Sequence, residues 1–125
     1  MSRLALSSRL LLMTCTVLLA ACSGAPSEGQ MKDALQADIK RKQDQAVEAA
    51  RALGGEQAAQ MSRRMTEANA TEVKNVHKIG CKDDGENAYR CDIEVEVSRR
   101  GGQIQKSQPF SARFVKGSDG WHAER

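Results

Sequence analysis

The feature that most constrains the fold of this 125-residue chain is a two-residue alternation between positions 89 and 98. Odd positions in this stretch are apolar, and even positions are polar and mostly charged. The apolar set is Tyr89, Cys91, Ile93, Val95 and Val97, and the polar set is Arg90, Asp92, Glu94, Glu96 and Ser98. Because successive side chains of a strand point to opposite faces, the pattern predicts a strand with one buried face and one solvent face.

The segment before this strand, from about Val73 to Lys82, carries Ile79 and Cys81 in the same parity. If Cys81 lies opposite Cys91, antiparallel pairing sets Ile79 against Ile93 and His77 against Val95. Both cysteines then point to the buried face, so the hydrophobic register and a disulfide agree.

We therefore predict a Cys81–Cys91 disulfide. Zinc would need two more ligands, and the only histidines are His77 and His122. A redox pair places its cysteines two residues apart, whereas nine residues separate these two. The acidic residues at 83–87 lack the spacing of a calcium loop and suit a turn.

The residues before the strands show helical spacing. Ser27 and Gln30 fit a capping box, so a helix should start near Glu28. Its apolar positions recur about every three or four residues, although polar residues at 42 and 43 interrupt them. They are Met31, Leu35, Ile39, Ala46, Ala50 and Leu53.

Gly54-Gly55 should end this helix, and a second one should run from about Glu56 to Ala68. Ala58, Met61, Met65 and Ala68 share one face of it. Methionines at this spacing could bind copper, but core packing is the far more common role and is expected here.

The chain after the alternating strand predicts two more strands. Arg100-Gly101-Gly102 marks a reversal, and residues 103–115 form a third strand that Pro109 leaves unpaired or bulged on one edge. A turn at 116–120 precedes a short last strand, in which Trp121 is expected opposite Phe114. The fold class is α+β, with two N-terminal helices packed on a four-stranded antiparallel meander.

Residues 1–22 have the layout of an export signal. Arg3 and Arg9 precede a 12-residue apolar stretch from Leu10 to Ala21, and about 20 such residues are needed to span a bilayer. The stretch ends in Leu19-Ala20-Ala21-Cys22, which resembles the lipobox of bacterial lipoproteins. The resemblance implies cleavage after residue 21 and a lipid on Cys22. Ser23 stands where an aspartate would retain an enteric lipoprotein in the inner membrane, so it also implies the periplasmic face of the outer membrane.

These boundaries divide the chain into a signal (1–21), a lipidated cysteine with a flexible tether (22–29) and a single domain (30–125). Removing the signal leaves 17 basic and 16 acidic residues. This balance argues against a nucleic-acid partner, since such proteins usually carry a clustered basic face. The partners predicted are the membrane, through Cys22, and another envelope protein.

Catalytic chemistry is not indicated. Neither histidine stands near a nucleophile in a known motif, and no glycine-rich phosphate loop is present. We expect no enzyme activity, no cofactor and no metal. The outline of helices followed by a meander is similar to cystatin-like bacterial lipoproteins of unknown function, and to BamE-type outer-membrane assembly lipoproteins.

Two hypotheses follow for function. The first is an interaction module in envelope assembly, whose wet sheet face carries Arg90, Asp92, Glu94, Glu96 and Arg99; an inhibitor or immunity role is a variant of it. The second is a periplasmic small-ligand binder. Its pocket would lie between the aromatic residues Phe110, Phe114 and Trp121 and the small helix residues Ala46 and Ala50.

Overall fold

A computed structural model describes residues 24–124, which form a long helical element followed by five strands. The helical element, α1, spans Glu28–Ala68. The strands are β1 (Thr71–Asp83), β2 (Ala88–Arg99), β3 (Ile104–Lys106), β4 (Phe110–Gly117) and β5 (Gly120–Glu124). The predicted α+β class is confirmed. The predicted signal, 1–21, and Cys22 lie outside the described residues.

The start of α1 is the predicted capping box. The Ser27 Oγ accepts a hydrogen bond from the Gln30 backbone N–H at 3.2 Å, and the Gln30 Oε1 accepts one from the Ser27 N–H at 2.9 Å. Two N–H groups that the helix itself cannot satisfy are therefore paired. Glu28 adds a negative charge to the first turn, where it interacts favourably with the helix dipole.

The prediction of two helices is wrong in number. Residues 24–124 contain one helical element, in which a single residue, Gly55, leaves the helical conformation with φ 71° and ψ −163°. This region of backbone space is almost exclusive to glycine. The break predicted at Gly54-Gly55 is therefore a one-residue kink, and no connecting loop separates two helices.

The part of α1 after Gly55 folds back along the part before it. Gln43 lines the same cavity as Met61 and Met65, although a straight helix would place Gln43 and Met65 about 33 Å apart. Val47 and Ala59 are both buried, in a stretch where most neighbours are exposed. We call residues 40–68 the helical arm, because Ile39 is the last residue of α1 that packs against the core of the sheet.

The sheet is antiparallel and has the strand order β1-β2-β4-β5, with β3 paired to β2 beyond the end of β4. Its concave core is formed by apolar side chains of the first turns of α1 and of four strands. The largest fully buried members are Phe114, Met31, Ile93, Val73 and Val76. The alternation predicted for β2 is confirmed at Cys91, Ile93 and Val95, which are buried, but Ser98, expected on the solvent face, is buried as well.

Cys81 lies opposite Cys91 as predicted, with a Cα–Cα distance of 4.0 Å. Their sulfur atoms are 2.09 Å apart, which is a disulfide distance. The bond joins β1 to β2 near the closed end of their hairpin.

The rest of the predicted β1–β2 register is wrong. Ile79 does not face Ile93, and His77 does not face Val95, because Ile79 is an unpaired bulge residue. One extra residue reverses the side-chain parity beyond it, and Ile79 is 53% exposed. The observed pairs are Lys78–Ile93, His77–Glu94 and Val76–Val95.

The predicted third strand is divided in two, so residues 24–124 contain five strands where four were expected. The division falls at residues 107–109, at the proline expected to disturb the edge. Ser107 bridges the gap, because its N–H donates to the Val95 carbonyl at 2.8 Å and its Oγ accepts from the Val95 N–H at 2.9 Å. The pairing of Trp121 with Phe114 is also wrong, since Phe114 faces Ala123.

The outer edge of β1 is covered by side chains of α1. Gln36 accepts from the Val73 N–H at 2.8 Å, and Glu28 accepts from the Lys78 N–H at 2.8 Å. Gln36 and Glu28 are two helical turns apart, so they lie on one side of α1. An open edge would invite pairing with another chain, and these two bonds reduce that hazard.

Candidate functional site

The chain enters the domain beside the disulfide. Pro26 is fully buried, and its carbonyl accepts a hydrogen bond from the Lys78 Nζ at 3.2 Å. Gly24 approaches Tyr89 so closely that an added Cβ would lie 2.6 Å from the phenol oxygen. The described part of the predicted tether thus lies against β1 and β2. In the sequence a single residue, Ser23, separates Gly24 from the predicted lipid site, Cys22.

Four of the five residues predicted as an interaction face are brought together on the wet side of β2, and their charges are largely paired. Arg90 contacts Asp84 at 3.0 Å, and Glu94 contacts Lys106 at 2.5 Å. The hydrogen bond and charge of Glu94 raise the pKa of Lys106. The other contacts are the Ser111 Oγ donating to Asp92 at 2.6 Å and the register pair Glu96–Lys106.

Arg99, the fifth residue, does not belong to that cluster. It is exposed at the end of β2, and it lines a cavity together with Val95 and Val97. Two charges of this face, Arg90 and Glu94, are thus paired within the domain, which weakens their attraction for a charged partner.

The helical arm exposes an apolar surface that the sequence assigned to the core. Met61 is 67% exposed, Met65 61% and Leu53 92%. In the part of α1 after Gly55, the buried residue is Ala59. The half-buried Ser62 and Thr66 lie on the same side of the helix. Most of the apolar face of the second part of α1 is therefore exposed, with Met61 and Met65 at the rim of the cavity that Gln43 also lines. We call Leu53, Ala58, Met61 and Met65 the arm surface.

An apolar cavity of about 280 Å³ lies between the start of the sheet and α1, at the gap between β3 and β4. Its apolar walls are Leu35, Ile39, Val73, Val95, Val97 and Phe110, and its polar members are Thr71, Arg99 and Ser107. Sequence reasoning missed this site. The available signal was Pro109, whose interruption of the strand opens the sheet beside Phe110.

The ligand pocket predicted from the sequence does not form in residues 24–124. Phe114 is fully buried in the core, and Trp121 packs edge-on against Tyr89 with ring centroids 6.0 Å apart. Ala46 is exposed on the helical arm. Of the three aromatic residues proposed, Phe110 alone faces the apolar cavity.

The histidines each contact one carboxylate. His122 hydrogen-bonds Asp119 at 2.7 Å, and this bond lowers the pKa of Asp119. The His77 Nδ1 lies 3.5 Å from Glu28. In the described part of the chain, no group of three or more His, Cys, Asp and Glu side chains is placed to hold a metal ion.

Within residues 24–124, no helix has the length and apolar character needed to cross a membrane. Comparison with known proteins finds no matching family model, no matching curated protein and no matching solved structure.

Proposed function

We propose that this chain is a non-enzymatic lipoprotein of the bacterial envelope, anchored through a lipid on Cys22, that holds a partner protein on its helical arm. The observation that supports this function best is the outward arm surface. Met61 and Met65 are exposed on one face of the helix, and Leu53 is exposed just before the kink; large exposed apolar side chains of this kind are typical of protein contact sites. Methionine suits such a role, because its flexible side chain adapts to a partner.

The position of the arm favours a protein partner over the membrane. The chain enters the domain at Gly24, and α1 then rises by about 38 Å between Glu28 and Leu53. Leu53 therefore lies at the end of α1 remote from the chain entry, and Met61 and Met65 lie on the part that returns beside Gln43. A domain that is anchored through Cys22 and begins at Gly24 would present its arm to the periplasm.

The arm surface can supply only part of the free energy of binding. Full burial of one Leu or Met side chain contributes roughly 1.5–3 kcal/mol, so Leu53, Met61 and Met65 together supply about 5–9 kcal/mol. Association itself costs about 4–15 kcal/mol. The partner must therefore add contacts of its own, and a helix laid along the arm would provide them through small-residue packing at Ala58.

Site-specific photo-crosslinking in intact cells tests the proposal. A photoreactive residue at Leu53 should give a discrete adduct with one protein, and the double variant Met61→Gln, Met65→Gln should abolish that adduct. Because both methionines are exposed, the double variant should keep the wild-type unfolding midpoint.

A photoreactive residue at Asp92, on the wet sheet face, is the matched control. A specific adduct at Asp92 and none at Leu53 would move the interaction to the face predicted from the sequence. Absence of adducts at both positions would refute an interaction role. An adduct with an enzyme whose activity this protein lowers would indicate the inhibitor variant.

The anchor has its own test. Mass spectrometry of protein extracted from membranes should find a diacylglycerol-type modification on Cys22 and no residues before it. The variant Cys22→Ser should lose the modification. An unmodified Cys22 in the membrane-extracted protein would contradict the proposed anchor.

A further inference from the structure

We propose that the apolar cavity beside Arg99 is a binding site for a small anionic amphiphile, namely a carboxylate with an alkyl chain of about nine carbons. The site is separate from the arm surface, so a test of this site does not depend on the proposed function. The lining of the cavity, its volume and the position of one cation support this site.

The lining selects an apolar chain. Six of the nine residues around the cavity are apolar, and they come from α1 and from three strands. Few convergent polar groups at the edge of an apolar cavity are typical of small-molecule sites. Two of the three polar residues are uncharged, and Ser107 already bonds the backbone of Val95. Arg99 is thus the group left to fix a ligand's orientation.

The charge of the site selects an anionic head. Among residues 24–124, no side chain forms an ion pair or hydrogen bond with the Arg99 guanidinium, whereas Arg90 and Arg113 each contact carboxylates. The cavity lining contains no acidic residue. A guanidinium presents paired N–H donors that match the two oxygens of a carboxylate.

The volume of the cavity limits the length of the ligand's alkyl chain. A methylene group occupies about as much space as a water molecule, on the order of 30 Å³. A cavity of about 280 Å³ therefore holds roughly nine carbon atoms. This is smaller than the sites of most drug-sized ligands, which begin at about 300 Å³.

The chain enters the domain at Gly24, beside Tyr89, and the cavity lies toward the other end of β2, between Val95 and Arg99. Val95 is six residues of extended strand from Tyr89, about 20 Å, and Arg99 is ten residues away, about 33 Å. This separation favours a free molecule over the acyl chains predicted on Cys22.

The test uses the mature chain, residues 22–125, carrying Cys22→Ser so that neither lipid nor detergent is present. Hexanoate, octanoate, decanoate and dodecanoate are titrated while the backbone amide signals of Phe110 and Val97 are followed by NMR. Affinity should rise about fourfold per added methylene and stop rising near nine carbons. Absence of saturable shifts at these two positions, or a rise that continues unchanged to dodecanoate, would overturn the proposal.

Variants separate the head group from the chain. Arg99→Gln should weaken octanoate binding about tenfold and leave octan-1-ol binding unchanged. Arg64→Gln, an exposed arginine of the arm, is the matched control and should change neither. Equal loss of the acid and the alcohol in Arg99→Gln, or no loss of either, would refute the anionic specificity.

Val97→Phe should fill the cavity and weaken both ligands. If this variant does not fold, the chain-length series on the Cys22→Ser protein still decides the question. A folded Val97→Phe protein that binds octanoate with undiminished affinity would overturn the site.

Discussion

Replacing Gly55 by alanine should convert the kinked α1 into a straight helix and produce a domain-swapped dimer. At φ 71° and ψ −163° a residue with a Cβ is strained by about 1–3 kcal/mol. The strain is purely conformational, because an added Cβ would meet no atom within 4 Å. A straight helix removes it, since alanine favours the helical conformation.

A single molecule cannot straighten α1 and keep its sheet, because β1 starts only two residues after the helix ends. The straightened helix would carry β1 away from the first segment of α1 that covers its edge. Two molecules can exchange these parts and restore every contact between them. Each dimer relieves two strained residues, which favours it by about 2–6 kcal/mol, a factor of about 30 to more than 10⁴.

Light scattering coupled to size-exclusion chromatography measures the mass, and spin labels at Gln43 and Met65 measure the arm. The Gly55→Ala protein should double in mass relative to the wild type, and its intrachain label distance should lengthen to about 33 Å. Gly29→Ala is the matched control, because it lies in the first turn of the same helix at negative φ. A Gly55→Ala protein that keeps both the wild-type mass and the wild-type unfolding midpoint would refute the reasoning.

Three further predictions concern the sheet. Reducing the Cys81–Cys91 disulfide should lower the free energy of unfolding by roughly 2–3 kcal/mol from loop-closure entropy, measured by urea unfolding followed through Trp121 fluorescence; an unchanged midpoint would contradict it. Phe114→Ala should cost about 3–5 kcal/mol, because the ring is fully buried, and a loss below about 1 kcal/mol in the same assay would show that the core is not packed there. His122→Ala removes the hydrogen bond to Asp119, so it should raise the lowered pKa of Asp119 toward its ordinary value in an NMR titration. The stabilisation by this carboxylate is present above its unfolded-state pKa and disappears as pH falls through its folded-state pKa, so the stability difference between the two proteins should vanish in acid; a constant difference would argue against the pair.

The features that the sequence could predict are those fixed by local chemistry. The capping box at Ser27 and the glycine break at Gly55 depend on neighbouring residues alone. The alternation in β2 is local to that strand, and the Cys81–Cys91 pair was found although the hydrophobic register expected beside it was wrong. Each of these was found where the sequence placed it.

The predictions that were wrong depend on how the helices and strands are oriented relative to one another. The bulge at Ile79 reverses side-chain parity, and its only local signal is Gly80 within the strand, which marks a possible bulge without fixing the register beyond it. Pro109 did mark a disturbance, but its effect, two short strands in place of one long one, depends on Ser107 replacing a backbone partner of β2.

The outward arm surface shows most clearly why a correct helix does not give a correct core. The helical face that contains Met61 and Met65 was identified correctly. Which face of the second part is buried depends on the kink at Gly55, because the kink determines the face that turns toward Val47. That face carries Ala59, whose small side chain permits close approach of the two parts of α1. Apolar periodicity predicts the existence of a contact face and leaves open whether its partner belongs to the same chain. Because the buried residues of the arm are Val47 and Ala59 and not the methionines, the methionine face is available to another molecule, and this is the reason to look for the partner at the arm before the charged sheet face.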